Sequence, residues 1–580
     1  MNSSKISILF GTQTGNSEDV AERLGRLLTR MRLKPFVRDI QNYRISRLLE
    51  EKMVIFICST TGNGEFPDNM KAFWKFLLRK NHPTSSLCHL KFCVFGLGDS
   101  SYEKFNVVAK KLNKRLLQLG ATEVLPIALG DDQHELGYDA ALDPWLKKLK
   151  DIFSSYYDIN ASYIPDDTPL PPKFKVKFLE KNGNIHFNND CMMQNYQQAT
   201  LKSIKKETSD DHFQTVNLVS FMISPEVVYE PGDVAVVWPE NPPHEVNEFL
   251  SLLKVPFDDP FIIVPADQDT PPPPLTPYPC TVRECVKKYF DVLSIPRRSF
   301  FEFFYHFSQD ETEKEKLLEF TTAEGQEELY EYCNRPRRNI LEVLLDFPHT
   351  TPHVPFEYFF DMIPAIRPRS YSIASALSVH SCEFQLLVAV VNYKTRLQKT
   401  RKGLCSNWLS NLPEGSKIPF YTKKGSIALP GSMDPIVMIG PGTGCAPFKA
   451  FVEHRAHKKI GDNHLFFGCR YKEKDFLCSE SWKELEEKDM LTLFTAFSRD
   501  QEDKVYVQHK IVENSTLLWE LINHKLAYVY IAGNAKQMPE GVKDAFLKVF
   551  EKEGYLSNNE CIKYLKTMEL HKRYQVETWC

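Results

Sequence analysis

The 580-residue chain has no uninterrupted apolar run of ~20 residues, so no membrane-spanning helix is expected. Its first ten residues, MNSSKISILF, form neither a secretory signal nor an anchor. A bulk excess of one charge is missing too. With 72 Lys and Arg against 75 Asp and Glu, the net charge of −3 argues against bulk, non-specific nucleic-acid binding. The 14 cysteines nowhere stand as C-x-x-C, and no His or Cys cluster asks for a metal. Reduced thiols in a soluble, cytoplasmic protein are the expectation. Hydrophobic and charged contents of 42% and 25% are ordinary for a globular chain. At about 150 residues per domain, the length predicts roughly three to four domains.

Charge is unevenly spread. Residues 1–150 carry 23 Lys/Arg and 16 Asp/Glu, a net +7, which leaves −10 for the remainder. Opposite signs on two parts of one chain favour weak, salt-sensitive docking, although solvated faces that never meet would give the same count.

The first 150 residues alternate short apolar runs (Ile6–Phe10, Phe36–Ile40, Met53–Cys58, Lys91–Phe95, Glu123–Ala128) with stretches of helical spacing at Asp19–Arg30, Asn69–Leu78 and Val107–Leu119. Five strands separated by helices predict a doubly wound parallel sheet, whose ligands sit beyond the strands' carboxyl ends. Residues 154–173, with PDDTPLPPK, read as a stiff exposed linker. β-rich runs follow at Phe174–Leu179, Gln198–Lys205, Thr215–Ile223 and Asp233–Trp238, and again at Arg369–Ala374, Glu383–Asn392 and Lys417–Tyr421. Between them lies a helical block at about 246–347, so a β-barrel carrying a helical insertion is predicted. The last 150 residues return to α/β alternation, with strands near Ile436–Ile439, His464–Phe467, Leu491–Phe497 and Tyr528–Ile531. The predicted domains are 1–153, a linker 154–173, a β-barrel domain 174–430 and an α/β domain 431–580.

The chemistry gathers at predicted strand ends. Ile6–Phe10 runs into GTQTGNSEDVAERL, where Thr12, Thr14, Gly15 and Ser17 form a turn that opens a helix. Backbone N–H groups at a helix start favour a phosphate. No Lys follows in the P-loop pattern, so a single phosphate held by neutral donors fits better than a magnesium nucleotide. Helix capping by Ser17 would account equally for this turn alone. STTGNGEFPDN (59–69), GLGDSSYEKFN (96–106) and GDDQHE (130–135) follow three further strands. Each alone could be an ordinary βα turn. Four enriched ends on one sheet point to a phosphate-bearing flat aromatic ligand.

With these loops in view, the first segment resembles a flavodoxin-type FMN domain, and the rest resembles the ferredoxin-reductase module of the diflavin reductases. For FMN, the resemblance implies contacts from Thr12, Gln13, Thr14, Gly15, Asn16 and Ser17 in the first loop and Ser59, Thr60, Thr61 and Gly62 in the second. It adds Leu97, Gly98, Asp99, Ser100, Ser101, Tyr102, Glu103, Lys104, Phe105 and Asn106 in the third, and Asp132 in the fourth. RPRSYSIAS (367–375) matches the family's R-x-Y-S motif. By resemblance Arg369 binds FAD pyrophosphate, Ser370 lines the site, Tyr371 packs on the isoalloxazine and Ser372 lies near its reactive nitrogen. GLCSNWL resembles the second FAD loop, implicating Gly403, Leu404, Cys405 and Ser406; Arg337 in NRPRRNILEVL matches a further FAD-contacting position.

MIGPGTGCAPFKAF (438–451) does not spell G-x-G-x-x-G, but it matches the GPGTG-x-APF nicotinamide loop and implicates Thr443. FSRD and KVYVQ match the family's 2′-phosphate site, implying NADPH contacts from Ser498, Arg499, Lys504, Val505, Tyr506, Val507 and Gln508. Taken alone, Arg499 and Lys504 would be ordinary surface charges. Trp579 matches the aromatic that covers the FAD ring in relatives, and Glu577 the acid before it. Ser372, Glu577 and Trp579 are thus the implied catalytic set. Three positions depart from the pattern. Ala532 and Asn534 stand where several relatives have Cys and Asp, and Gly541 replaces a further acid.

The resemblance covers nearly the whole chain and implies an NADPH-dependent diflavin oxidoreductase passing electrons from NADPH to FAD, to FMN and to a one-electron acceptor. Lacking an anchor and a haem domain, it is similar to the short branch of the family, whose acceptor is an anamorsin-type iron–sulfur protein in cytosolic iron–sulfur cluster assembly. A flavin-binding interaction protein without turnover and a reductase of small quinones are the alternatives; the intact nucleotide motifs and the separate FMN domain disfavour them in turn.

Overall fold

The computed structural model describes residues 5–579 except 63, 103, 158–162, 181–195, 267–269, 271, 274, 276 and 396–397. It divides into two compact units. One holds residues 1–192, 241–365 and 395–397, the other 193–240, 366–394 and 398–580.

In the first unit, β1 (Lys5–Gly11), β2 (Lys34–Asp39), β3 (Met53–Ser59), β4 (Lys91–Gly98) and β5 (Thr122–Asp131) form an all-parallel sheet of order β2-β1-β3-β4-β5. Alternation along β3 sends Ile55 and Ile57 into one core and Val54 and Phe56 into the other. The helix Asn16–Arg30 buries Val20, Ala21, Leu24 and Leu28 against the first of these. Strand order reverses between β1 and β3, which opens a crevice at their carboxyl ends.

The helical block begins at Pro243 and ends at Met362, wider than its pattern suggested. Its core is strongly aromatic, including Phe249, Phe290, Phe300 and Phe359. Two short strands, Pro260–Pro265 and Cys280–Thr281, lie within it, and Phe174–Phe178 pairs antiparallel with the first of them. Phe174–Phe178 was expected in the barrel. It joins this small sheet instead, because Phe174 is drawn into the aromatic core beside Phe360.

In the second unit, six antiparallel strands run in the order Arg369–Ser372, Val234–Val237, Lys417–Lys423, Gln197–Lys206, Val216–Met222, Glu383–Ala389. The two edges meet beyond Ser372, where Ile373 bridges Leu386 and the Ala374 N–H donates to Gln385 O at 2.8 Å. The ladder therefore curls back on itself as a barrel would. A five-stranded sheet in the same unit is all parallel, in the order Thr492–Phe497, Asn463–Cys469, Ile436–Ile439, Tyr528–Asn534, Tyr574–Trp579. Its last strand escaped the sequence reading because YQVETW is mostly polar and only its Tyr574 is buried. Among the described residues no helix is long and apolar enough to cross a membrane.

Candidate functional site

The carboxyl ends of β1, β3, β4 and β5 carry the four loops singled out above. Gly15 takes φ +97° to start the helix Asn16–Arg30, and its N–H donates to Thr12 Oγ1 at 2.9 Å. Thr12 is braced by Asn69, whose Oδ1 accepts the Thr12 N–H at 3.0 Å, while Gln13 Oε1 accepts the Asp68 N–H at 3.2 Å. Asn69 was missed as a support because its partner lies 57 residues away. Thr14 is exposed. Ser17 is fully buried, yet among the described residues its Oγ has no hydrogen-bond partner. A buried orphan hydroxyl costs free energy unless a ligand satisfies it. At the start of a 15-residue helix, it fits an anionic phosphate.

The second loop is held at both ends. The Thr60 N–H donates to Leu97 O at 3.0 Å, and Thr61 and Glu65 exchange backbone hydrogen bonds across Gly62. Ser59 lies at the end of β3, where its Oγ donates to Gly11 O at 3.5 Å. In the third loop, Leu97 and Gly98 sit in register with Gly130 and Asp131. Asp131 Oδ1 accepts the N–H groups of Ser100 and Gln133 at 2.9 and 3.0 Å, and Asp99 Oδ1 accepts that of Ser101 at 2.8 Å. Asp131 thus shapes the third loop from the fourth, which only the β4–β5 pairing reveals. Tyr102 is half-buried at this edge. Lys104 folds over Gly64, where an added Cβ would meet its Cδ at 2.6 Å, and the Phe105 ring lies 5.3 Å from the Lys110 ammonium. Glu103 falls outside the described residues.

Two residues serve the scaffold. Asn106, fully buried, donates from Nδ2 to Gly130 O at 2.9 Å and fills the space beside Gly96 and Gly98. Asn16 Oδ1 accepts from Arg297 of the helical insertion at 3.0 Å. Burial and the neighbouring Asp99 raise the Asp132 carboxyl, while Arg337 opposes them. Arg337 therefore lies within electrostatic reach of the fourth loop, in the same unit.

In the second unit, Arg369, Ser370, Tyr371 and Ser372 form the edge strand beside Val234–Val237. Arg369 and Ser370 are exposed, and Tyr371 and Ser372 half-buried. Among the described residues, the Arg369 guanidinium hydrogen-bonds only the Arg367 and Pro368 carbonyls, at 2.8 and 3.4 Å, which leaves its charge available to an anion. The Tyr371 hydroxyl is paired with the Cys405 thiol. Burial pushes that thiol up to about 11, so it stands as a neutral packing group. Gly403 is required sterically, since a Cβ there would lie 2.8 Å from Val391 Cβ. Leu404 opens the helix Leu404–Ser410. Ser406 Oγ accepts the Val391 N–H at 3.1 Å, so this hydroxyl helps hold the loop itself.

The strand Ile436–Ile439 leads into a tight turn at Gly442–Cys445 and the helix Ala446–His457, with Thr443 at the turn. A Cβ on Gly444 would stand 2.1 Å from Ala532 O. Only glycine lets the turn pack this closely on the strand Tyr528–Asn534. Ser498 and Arg499 follow the neighbouring strand end, their N–H groups donating to Cys469 O and Arg470 O at 2.9 Å each. Arg499 and Lys504 are exposed, and among the described residues neither forms an ion pair; this suits a bound phosphate. Tyr506 precedes the helix Val507–Glu513, and Gln508 lies near Gly541. Val505 and Val507 pack in the core. Arg470, stacked 3.7 Å from the Phe213 ring centroid, was not anticipated. Glu577 pairs in register with Ala532 and Trp579 with Asn534; the Ala535 N–H donates to Trp579 O at 2.9 Å. Asn534 Oδ1 is taken by the Lys536 N–H at 2.9 Å.

Three family profiles match along the chain: flavodoxin over residues 8–145, FAD binding domain over 191–408, and oxidoreductase NAD-binding domain over 438–544. Among curated proteins, the NADPH-dependent diflavin oxidoreductase 1 of Xenopus laevis is 48% identical, the alignment covering 99% of each chain. That of Mus musculus is 46% identical over 99% of each, and that of Schizosaccharomyces pombe 36% identical over 100% of each. Three cofactor domains in one order, with relatives aligned end to end, mean that this chain belongs to the NADPH-dependent diflavin oxidoreductase 1 family and is an oxidoreductase of FMN, FAD and NADPH.

Proposed function

We propose that the chain delivers electrons from NADPH to an anamorsin-type iron–sulfur protein in cytosolic iron–sulfur cluster assembly. The observation that carries this reading is the end-to-end similarity to diflavin oxidoreductase 1 chains, together with the acidic edge beside the FMN loops. We take the domains as 1–153, 174–430 and 431–580, with 154–173 as tether. Bound in the three sites, the nicotinamide supplies a two-electron equivalent and the flavins pass it on as single electrons.

The residues divide the work as follows. Gly15 and Ser17 hold the FMN phosphate on the helix start, while the loops of Thr60–Gly62 and Gly98–Tyr102, shaped by Asp131, enclose the ring. Arg369 and the Gly403–Ser406 turn bind the FAD pyrophosphate. Tyr371 backs the ring and presents Ser372 beside it. Arg499 and Lys504 select the 2′-phosphate, and Thr443 seats the nicotinamide half. Trp579 shields the ring until the nucleotide arrives, and Glu577 stands by to hold a proton at that edge.

The acceptor docks on the rim formed by Asp131, Glu135 and their neighbours. Glu135→Gln, which leaves the Asp131 support of the third loop intact, should slow reduction of the iron–sulfur acceptor several-fold while ferricyanide reduction changes little. Equal effects on both acceptors would refute the docking assignment.

A further inference from the structure

The helix that leaves the nucleotide turn, Ala446–His457, buries every residue from Ala446 to Val452, including Lys449. Over its first two turns the helix is buried all round and has no polar stripe to set its rotation. Two charged anchors supply that constraint here. Near its end, Arg455 donates from Nε to Asn463 Oδ1 at 2.5 Å and from Nη2 to the Asp434 and Gly461 carbonyls at 2.9 and 3.0 Å, which ties the helix to its own parallel sheet. On another face, Lys449 Nζ, 3% exposed, donates to Glu453 Oε1 at 2.5 Å and to Gln385 Oε1 at 3.0 Å.

Glu453 Oε2 in turn accepts the Ala376 N–H at 3.0 Å. Ala376 is four residues beyond Ser372 on the same chain segment, and Gln385 is on the strand that pairs with it. The intervening Ser375 Oγ accepts the Gln385 N–H at 3.0 Å and pairs with the Tyr229 hydroxyl at 3.0 Å. Burial alone would raise the Glu453 carboxyl, but His380 and Lys449 hold it below its ordinary value, so it stays an anion facing the Lys449 cation. Burying an ammonium and a carboxylate costs several kcal/mol before their attraction is counted, and a Met–Leu pair would pack more cheaply. What an apolar pair cannot supply is directional hold on one backbone amide and one side-chain amide.

We infer that Lys449 and Glu453 are positioning residues that set the segment carrying Tyr371 and Ser372 against the nucleotide turn Gly442–Cys445. The inference rests on the site reading above. Transfer between a nicotinamide and a flavin demands placement within about half an ångström, and one helix that starts at the turn and is pinned to the strand provides it.

The test compares Lys449→Met and Lys449→Arg in the full-length, FAD- and FMN-loaded protein. Lys449→Met should retain FAD and bind NADP+ within 2-fold of the parent by calorimetry. It should cut the stopped-flow rate of flavin reduction by NADPH about 10- to 100-fold, with kcat falling and KM steady. The isotope effect with 4-deuterated NADPH should rise, hydrogen exchange at 373–378 should quicken, and Lys449→Arg should recover most of the rate. If Lys449→Met sheds FAD, Gln385→Met, which removes the Lys449 bond to the neighbouring strand together with the Gln385–Glu383 bond but leaves the Lys449–Glu453 pair in place, is read by the same measurements. A rate that is unchanged, or that falls only in proportion to lost FAD with an unaltered isotope effect, overturns the inference. Failure of NADPH to reduce the flavin of the unaltered protein would overturn the site reading beneath it instead.

Discussion

Arg23, on the first helix of the flavodoxin-like domain, sets its Nε 3.1 Å from Oε1 of Glu302, a residue of the helical insertion 279 positions later. Arg23 also meets Asp139 at 2.5 Å, Arg26 reaches Glu302 at 2.9 Å, Arg298 reaches Asp143 at 2.6 Å, and Ser299 bonds Asp19. The linker shares in this contact, since Arg30 donates to the Pro165 and Thr168 carbonyls and Tyr305 to that of Asp166. The tether, exposed at 165–169 as expected, nevertheless touches both of its neighbours within the first unit.

Glu302 makes this contact pH-sensitive. Burial would raise its carboxyl, but Arg23 and Arg26 bring it down to about 2. A carboxylate depressed on folding stabilises fully above its unfolded pKa of about 4.3, and that stability drains away as pH falls toward 2. Glu302→Gln should cost about 2 kcal/mol at pH 7, and the gap between variant and parent should narrow below about pH 4. Thermal melts at pH 7 and pH 3.5 decide it. A gap that widens in acid would contradict the sign.

Ser17→Ala removes a buried hydroxyl that has no hydrogen-bond partner among the described residues. Apoprotein stability should change by no more than about 0.5 kcal/mol, whereas FMN should bind about 10- to 100-fold more weakly, since a hydrogen bond to a phosphate is worth about 1.5–3 kcal/mol. Fluorescence titration of the apoprotein with FMN reads the second effect. An unchanged Kd would remove Ser17 from the phosphate site.

Gly444 and Gly541 form a contrasting pair. A methyl at Gly444 runs into the Ala532 carbonyl at 2.1 Å, a backbone atom with nowhere to go, while at Gly541 the nearest atom is Gln508 Nε2 at 3.6 Å. Gly444→Ala should cost about 1–3 kcal/mol and weaken NADPH binding at least 10-fold. Gly541→Ala, inside the helix Met538–Gly554, should stabilise by about 0.5–1 kcal/mol and leave NADPH binding alone. Melting and nucleotide titration of both variants check the contrast.

The strand ends that carry the four polar loops of the first sheet could be read from apolar runs and Gly-rich turns, because those signals span fewer than a dozen neighbouring residues. Likewise RPRSYSIAS and GPGTGCAPF are contiguous, so their resemblance to cofactor motifs needs no fold. Asn69 under Thr12 and Asp131 under Ser100 were invisible for the opposite reason: each supports a loop on another strand, and only parallel pairing brings them together. The final strand Tyr574–Trp579 hid because its pairing with Tyr528–Asn534 contributes through backbone hydrogen bonds, which any polar sequence can make.

By itself, then, the sequence determined the order of three cofactor-binding segments and the residue types at each turn, since local periodicity and steric need for glycine are written along the chain. Tertiary structure alone decided which of those residues face outward and which are consumed inside. Asn106 and Ser406 turn to neighbouring backbone, Asn16 to Arg297, while the Ser17 hydroxyl is unpaired among the described residues. The physical reason is that a polar side chain's role depends on what remains unpaired around it after folding, and the partners that settle this come from distant parts of the chain.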